Sequence, residues 1–125
     1  MSMKIGAVTM DCLEPEKLAG FWAEVLGRTP GPAGTEDGTY WAVRDPDGKG
    51  PLLLLQRVPE EKTTKSRVHI DLWVADIEAE AERAVSLGAT LVKRFDDDED
   101  YGWIWMTDPE GNEFCFCRAD EEHLD

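Results

Sequence analysis

His69, Asp71, Glu113, Cys115, Cys117 and Asp11 are the side chains of this sequence best equipped to move a proton, hold an ion or fix a charged ligand. His69, Asp71 and Trp73 follow one another at intervals of two, the period that puts alternate residues on one face of a strand. Glu113, Cys115 and Cys117 repeat that interval near the C-terminus. Imidazole exchanges its proton near neutral pH, which makes His69, with Glu113, the candidate catalytic pair. Indoles stack on flat molecules and attract cations, so Asp11, His69, Asp71, Trp73, Trp103, Trp105 and Cys115 are the candidate ligand-binding set. A structural alternative stands beside it: His69 hydrogen-bonds across strands, Asp71 pairs with Arg67, and the tryptophans are core or dimer interface.

The elements that must position these residues are readable from periodicity. Residues 4–12 alternate as a strand, with Ile5, Ala7, Thr9 and Asp11 on one face. Pro15 opens a helix at the position that tolerates a missing N–H, and Leu18, Phe21, Trp22, Val25 and Leu26 form its apolar stripe before Gly27 closes it. Residues 28–38 allow at most a short edge strand. Strands are expected over 39–44 and 52–57, separated by the turn Asp45-Pro46-Asp47-Gly48. Polar residues 58–66 read as a linker. A strand over 68–75 then carries His69, and Asp76 caps a helix whose stripe is Ala81, Ala84 and Val85, closed by Gly88. Three further strands are expected over 90–95, 103–107 and 113–118, with Asp96 to Asp100 as a solvated acidic loop that could steer cations and Asp108-Pro109-Glu110-Gly111 as a turn.

The chain repeats itself with a period of about 62 residues: Ala7 falls opposite His69, Leu26-Gly27 opposite Leu87-Gly88, and Asp45-Pro-Asp-Gly opposite Asp108-Pro-Glu-Gly. Each half reads strand, helix, then two or three strands. The expectation is an α+β fold of two tandem βαβββ modules, 1–58 and 67–125 around the linker 59–66, forming one domain. Its eight strands would curl as an open mixed sheet into a cup, with the helices outside.

Composition narrows the partners. Acidic residues outnumber basic ones 27 to 13, a formal net charge of -14, which disfavours a surface that tracks phosphates and makes nucleic acid a poor partner. No run approaches the ~20 apolar residues of a membrane span, and residues 1–7 lack a signal-peptide core. Three cysteines in apolar strand-like stretches suit reduced thiols, so a cytoplasmic protein is expected. Cys115-Phe-Cys117 is too sparse for a structural zinc motif. The acidic run lacks the spacing of a calcium loop.

Taken together, Glu14-Pro15-Glu16 with Phe21-Trp22 through Leu26-Gly27, Gln56-Arg57-Val58-Pro59, Val68-His69-Ile70-Asp71-Leu72, Leu87-Gly88-Ala89-Thr90 and Asp108-Pro109-Glu110-Gly111-Asn112-Glu113-Phe114 resemble the vicinal oxygen chelate superfamily, in particular its small glyoxalase-like and bleomycin-resistance-like domains. The resemblance covers nearly the whole chain. It implies a divalent metal held by four side chains, one from the first and one from the last strand of each half. Position by position these fall on His69, Ala7, Cys115 and a residue near Leu54, so two of four can donate. The expectation is therefore a metal-free cup, with no cofactor, that binds a small organic molecule, aromatic or cationic. The chain is expected to form a homodimer. The alternative is one divalent metal such as zinc, nickel or iron in an isomerase, lyase or dioxygenase using His69. A shifted register would promote Gln56 or Glu113 to ligand and set Glu113 beside His69.

Overall fold

The computed structural model describes residues 2–95, 102–120 and 124; the acidic run Asp96 to Asp100 lies outside them. The elements follow in the order β1 (Ala7–Cys12), α1 (Pro15–Leu26), β2 (Thr29–Ala33), β3 (Tyr40–Arg44), β4 (Leu52–Arg57), β5 (Ile70–Val74), α2 (Ile77–Ser86), β6 (Thr90–Phe95), β7 (Trp103–Thr107) and β8 (Glu113–Arg118). Both βαβββ modules are present. Hydrogen bonding groups the strands as two four-stranded mixed sheets, β1-β4-β3-β2 and β5-β8-β7-β6, with β1 parallel to β4 and β5 parallel to β8. The compact units are Met1–Glu61 and Lys62–Asp125.

In the first unit, Pro15 sits in the opening turn of α1, and Leu18, Ala19, Phe21 and Trp22 are buried where the helix packs on β2, β3 and β4. Trp22 is fully buried and meets Phe21 edge to face at 5.4 Å. Burying a side chain of this size contributes about 1.5–3 kcal/mol, so the stripe holds the helix more firmly than any propensity does. Gly27 ends it at φ 65, returning its N–H to the Ala23 carbonyl. A side chain at that left-handed angle would press its Cβ on the backbone. The sheet face under the helix carries Val43, Leu53 and Leu55; the opposite face carries Thr9, Leu54 and Asp11 with its neighbours Gln56 and Tyr40. β2 is an edge strand containing Pro30 and Pro32.

The second unit repeats the plan with different chemistry. Asp76 caps α2 by accepting from Ala79 N at 3.0 Å, and Ile77, Ala81 and Ala84 are buried against β6, β7 and β8. Val85, expected on that stripe, is 47% exposed, and Ile77 does the packing instead because it lies one turn before Ala81. Arg94 fastens β6 to the helix through Glu78, with Nε 2.9 Å from Oε1. The Asp108-Pro-Glu-Gly-Asn turn is explained by one carboxylate: Asp108 is almost fully buried and accepts from Glu110 N, Asn112 N and Asn112 Nδ2 at 2.9–3.1 Å. Gly111, at φ 88, gives its N–H to the Asp108 carbonyl.

Candidate functional site

The face of the second sheet turned away from α2 gathers nearly every chemically useful residue named from the sequence. Ile70, Leu72, Phe114, Phe116, Ile104 and Met106 share the helix side, and strand alternation sends Asp71, Trp73, Cys115, Cys117, Trp103 and Trp105 to the other. Two rows cross the strands there. In one, Asp71 lies opposite Cys115, Cys115 opposite Trp105, and Trp105 opposite Lys93. In the next, Trp73 lies opposite Cys117, Cys117 opposite Trp103, and Trp103 opposite Phe95.

The second row is aromatic at both ends. Phe95 and Trp103 stack with ring centroids 4.8 Å apart, and the Lys93 ammonium stands 4.8 Å from the Phe95 centroid. Lys93 and Phe95 reach this face because the β6–β7 register slips between Leu91 and Lys93. One extra residue inverts the side of everything beyond it. Without the slip, Val92 would stand opposite Trp105. Neither Lys93 nor Phe95 was foreseen as a site residue, and no pattern in the sequence of β6 marks the bulge.

His69 sits one residue before β5, half exposed, with Nε2 3.1 Å from Asp71 Oδ1. Asp71 thus pairs with His69 and not with Arg67: residues 69 and 71 lie two apart on an extended chain and project to the same side. His69, Asp71 and the buried Cys115 bring ligand atoms within 4.8 Å of one another. Burial raises the pKa of both thiols, and the Asp71 carboxylate raises it further. For Cys117, burial first, then Asp71, Cys115 and a hydrogen bond to Asp71 push it up to about 11.

Glu113 has a different environment. It is 7% exposed, Lys62 Nζ lies 2.6 Å from Oε1, and Ser66 N donates to Oε2 at 3.2 Å. Burial alone would raise its pKa, but the hydrogen bonds from Lys62 and Ser66 outweigh it and hold the carboxyl at about 2. Lys62 and Ser66, read from the sequence as linker, are the partners that occupy it. Their attachment spans about 50 residues, and a polar stretch without periodicity gives no sign of it.

Of the four metal positions implied by the resemblance, those at Ala7 and Leu54 carry no donor atom. Cys115 lies opposite Asp71 in the β5–β8 ladder, whose register is unbroken. In the first unit Gln56 stands in register with Asp11 and Tyr40. Asp11, exposed on β1, belongs to that unit's own face. Two donors cannot complete a four-ligand oxygen-rich shell.

The comparisons with known proteins agree with this architecture. Residues 7–117 match the profile of the glyoxalase-like domain. Among solved structures, a glyoxalase/bleomycin resistance protein/dioxygenase family enzyme of Burkholderia phytofirmans PsJN superposes with a TM-score of 0.75 at 14% identity, over 93% of this chain and 98% of that one. The fosfomycin resistance protein FosX of Mesorhizobium loti gives 0.72 at 16% identity over 100% of both chains. A possible glyoxalase of Bacillus cereus gives 0.67 at 18% identity, over 93% of this chain and 99% of that one. Likeness at these identities speaks for the fold alone. No curated protein sequence matches the chain significantly.

Proposed function

Because the chain belongs to the glyoxalase-like domain family of the vicinal oxygen chelate superfamily, we propose that it binds a small, flat organic molecule on the face of its second sheet, with no ion in the four-ligand arrangement of its metal-dependent relatives. The observation that supports this is the convergence of Trp73, Trp103 and Trp105 with Asp71, His69 and Cys115 on one side of β5, β7 and β8. Trp73 remains 57% exposed and Trp103 36% exposed, so indole surface is available to a ligand. Asp71 and the net charge of -14 favour a cation. The partner is thus a planar organic cation.

Calorimetric titration of the full chain with N-methylquinolinium and with neutral quinoline, in the presence of a metal chelator, tests the reading. The cation is expected to bind more tightly, and Trp73→Ala with Trp105→Ala to abolish its heat. Equal silence from both compounds, or binding unchanged in the double variant, overturns it.

A second reading is favoured by the His69–Asp71 pair. A carboxylate 3.1 Å from an imidazole nitrogen fixes the ring's orientation, as a general base requires. On this reading the chain is an isomerase, lyase or dioxygenase, and His69→Ala removes turnover.

A further inference from the structure

On the reading of the second sheet's face as the seat of a planar organic cation, we infer that the ligand is a zwitterion and that Lys93 selects it by holding an anionic group. The row of residues that begins with Asp71 runs through Cys115 and Trp105 to Lys93, one residue each from β5, β8, β7 and β6. A carboxylate therefore stands at one end, an ammonium at the other, and an indole between them. Neighbouring strands lie about 4.8 Å apart, so the two end residues are separated by about 14 Å. A charge-assisted contact of about 2.8 Å at each end leaves about 8 Å between the ligand's own charges. Two fused aromatic rings with one charged substituent are close to that length.

Lys93 is on this face because the β6–β7 register slips between Leu91 and Lys93. A bulge re-aims a side chain, and here it sets an ammonium opposite Trp105. The ammonium is also held in position. It stands 4.8 Å from the Phe95 centroid, and Phe95 stacks on Trp103 with centroids 4.8 Å apart. A ring engages one side of an ammonium, and of its three N–H donors those turned from the ring serve an oxygen anion.

The charges select the ligand's two ends. A single ammonium offsets a single negative charge, and a chain of net charge -14 repels a doubly charged group. The anion is therefore a monoanion of the carboxylate class. At the other end Asp71 is half exposed, and its carboxylate has acceptor sites beyond the one facing His69. Glu113, which alternation along β8 sets on the same face, is already paired with Lys62 and Ser66. The ligand's cation accordingly belongs at Asp71.

Calorimetric titration of the full chain compares N-methylquinolinium with its betaine, N-methylquinolinium-6-carboxylate, at ~0.15 M ionic strength. The overall field of an acidic chain favours the net cation over the neutral betaine, so a preference for the betaine requires a local anion site. The betaine is expected to bind about two- to fivefold tighter, as one solvent-exposed ion pair supplies. Lys93→Gln, at an exposed position on an edge strand, should bring that ratio to one or below. Lys93→Arg should keep the ratio, and so should Lys17→Gln, which removes the same charge from α1. Binding of the cation with no gain from the carboxylate, or a gain that survives Lys93→Gln, overturns the role of Lys93 and leaves the planar-cation reading standing. Silence from both compounds removes that reading and the zwitterion with it.

Discussion

Lys62 Nζ lies 2.6 Å from Glu113 Oε1 and ties the segment leading into β5 to the start of β8. Glu113 is depressed from 4.5 to about 2, so its stabilisation is present above the ordinary carboxylate range and is lost as pH falls through about 2. A shift of this size corresponds to roughly 3 kcal/mol. Glu113→Gln is expected to lose about 2 to 3 kcal/mol at pH 7 and to converge with the parent near pH 2, as read from urea midpoints at the two pH values. An equal deficit at both would show that the pair is not responsible.

Trp73 and Trp22 should separate binding from folding. Trp73→Ala, on the exposed face, is expected to weaken N-methylquinolinium binding about tenfold with little change in thermal midpoint. Trp22→Ala, at a fully buried position, should cost about 3–5 kcal/mol. Thermal denaturation with calorimetric titration measures both; a stable Trp22 variant would contradict the packing described.

Cys117, raised to about 11 by burial and by Asp71, holds little thiolate at pH 8. Site-resolved alkylation with iodoacetamide in chelator should run on the order of a hundredfold slower than for free cysteine. Asp71→Asn removes the carboxylate, lowers the thiol pKa and should speed the reaction. Rates matching free cysteine would refute the electrostatic account.

Asp76 caps α2 through Ala79 N. Asp76→Ala is expected to destabilise the chain by about 1 kcal/mol, and Asp76→Ser to recover most of it, both from chemical denaturation. A neutral Asp76→Ala would mean the helix is held by Arg94 and its buried face alone.

Much of this architecture was legible because it rests on local rules. β4, β6, β7 and β8 keep the limits that alternation and turn residues set, and Gly27 and Asp76 end and begin helices for reasons local to the chain. β1 starts later than its pattern, since the ladder begins where Leu52, just past Pro51, meets Ala7. β5 is shorter than its pattern: Ile70 is the first to pair, with Phe114, and His69 lies outside the ladder. The site was legible as a list of faces. Its pairings were not: Lys62 on Glu113 is a contact between distant residues, and the slip after Leu91 leaves no periodic trace.

The two prolines of β2 bear on the solubility of the chain. Pro30 and Pro32 stand opposite Val43 and Trp41 in an antiparallel ladder. They have no N–H to give, so such residues are tolerated where the nitrogen points outward from the sheet. That rim consequently presents acceptors without their alternating donors, and an incoming strand would find half its hydrogen bonds refused. Fibril growth by accretion of further chains is thereby blocked at one margin of the first sheet, by the backbone itself and without recourse to the protein's acidity.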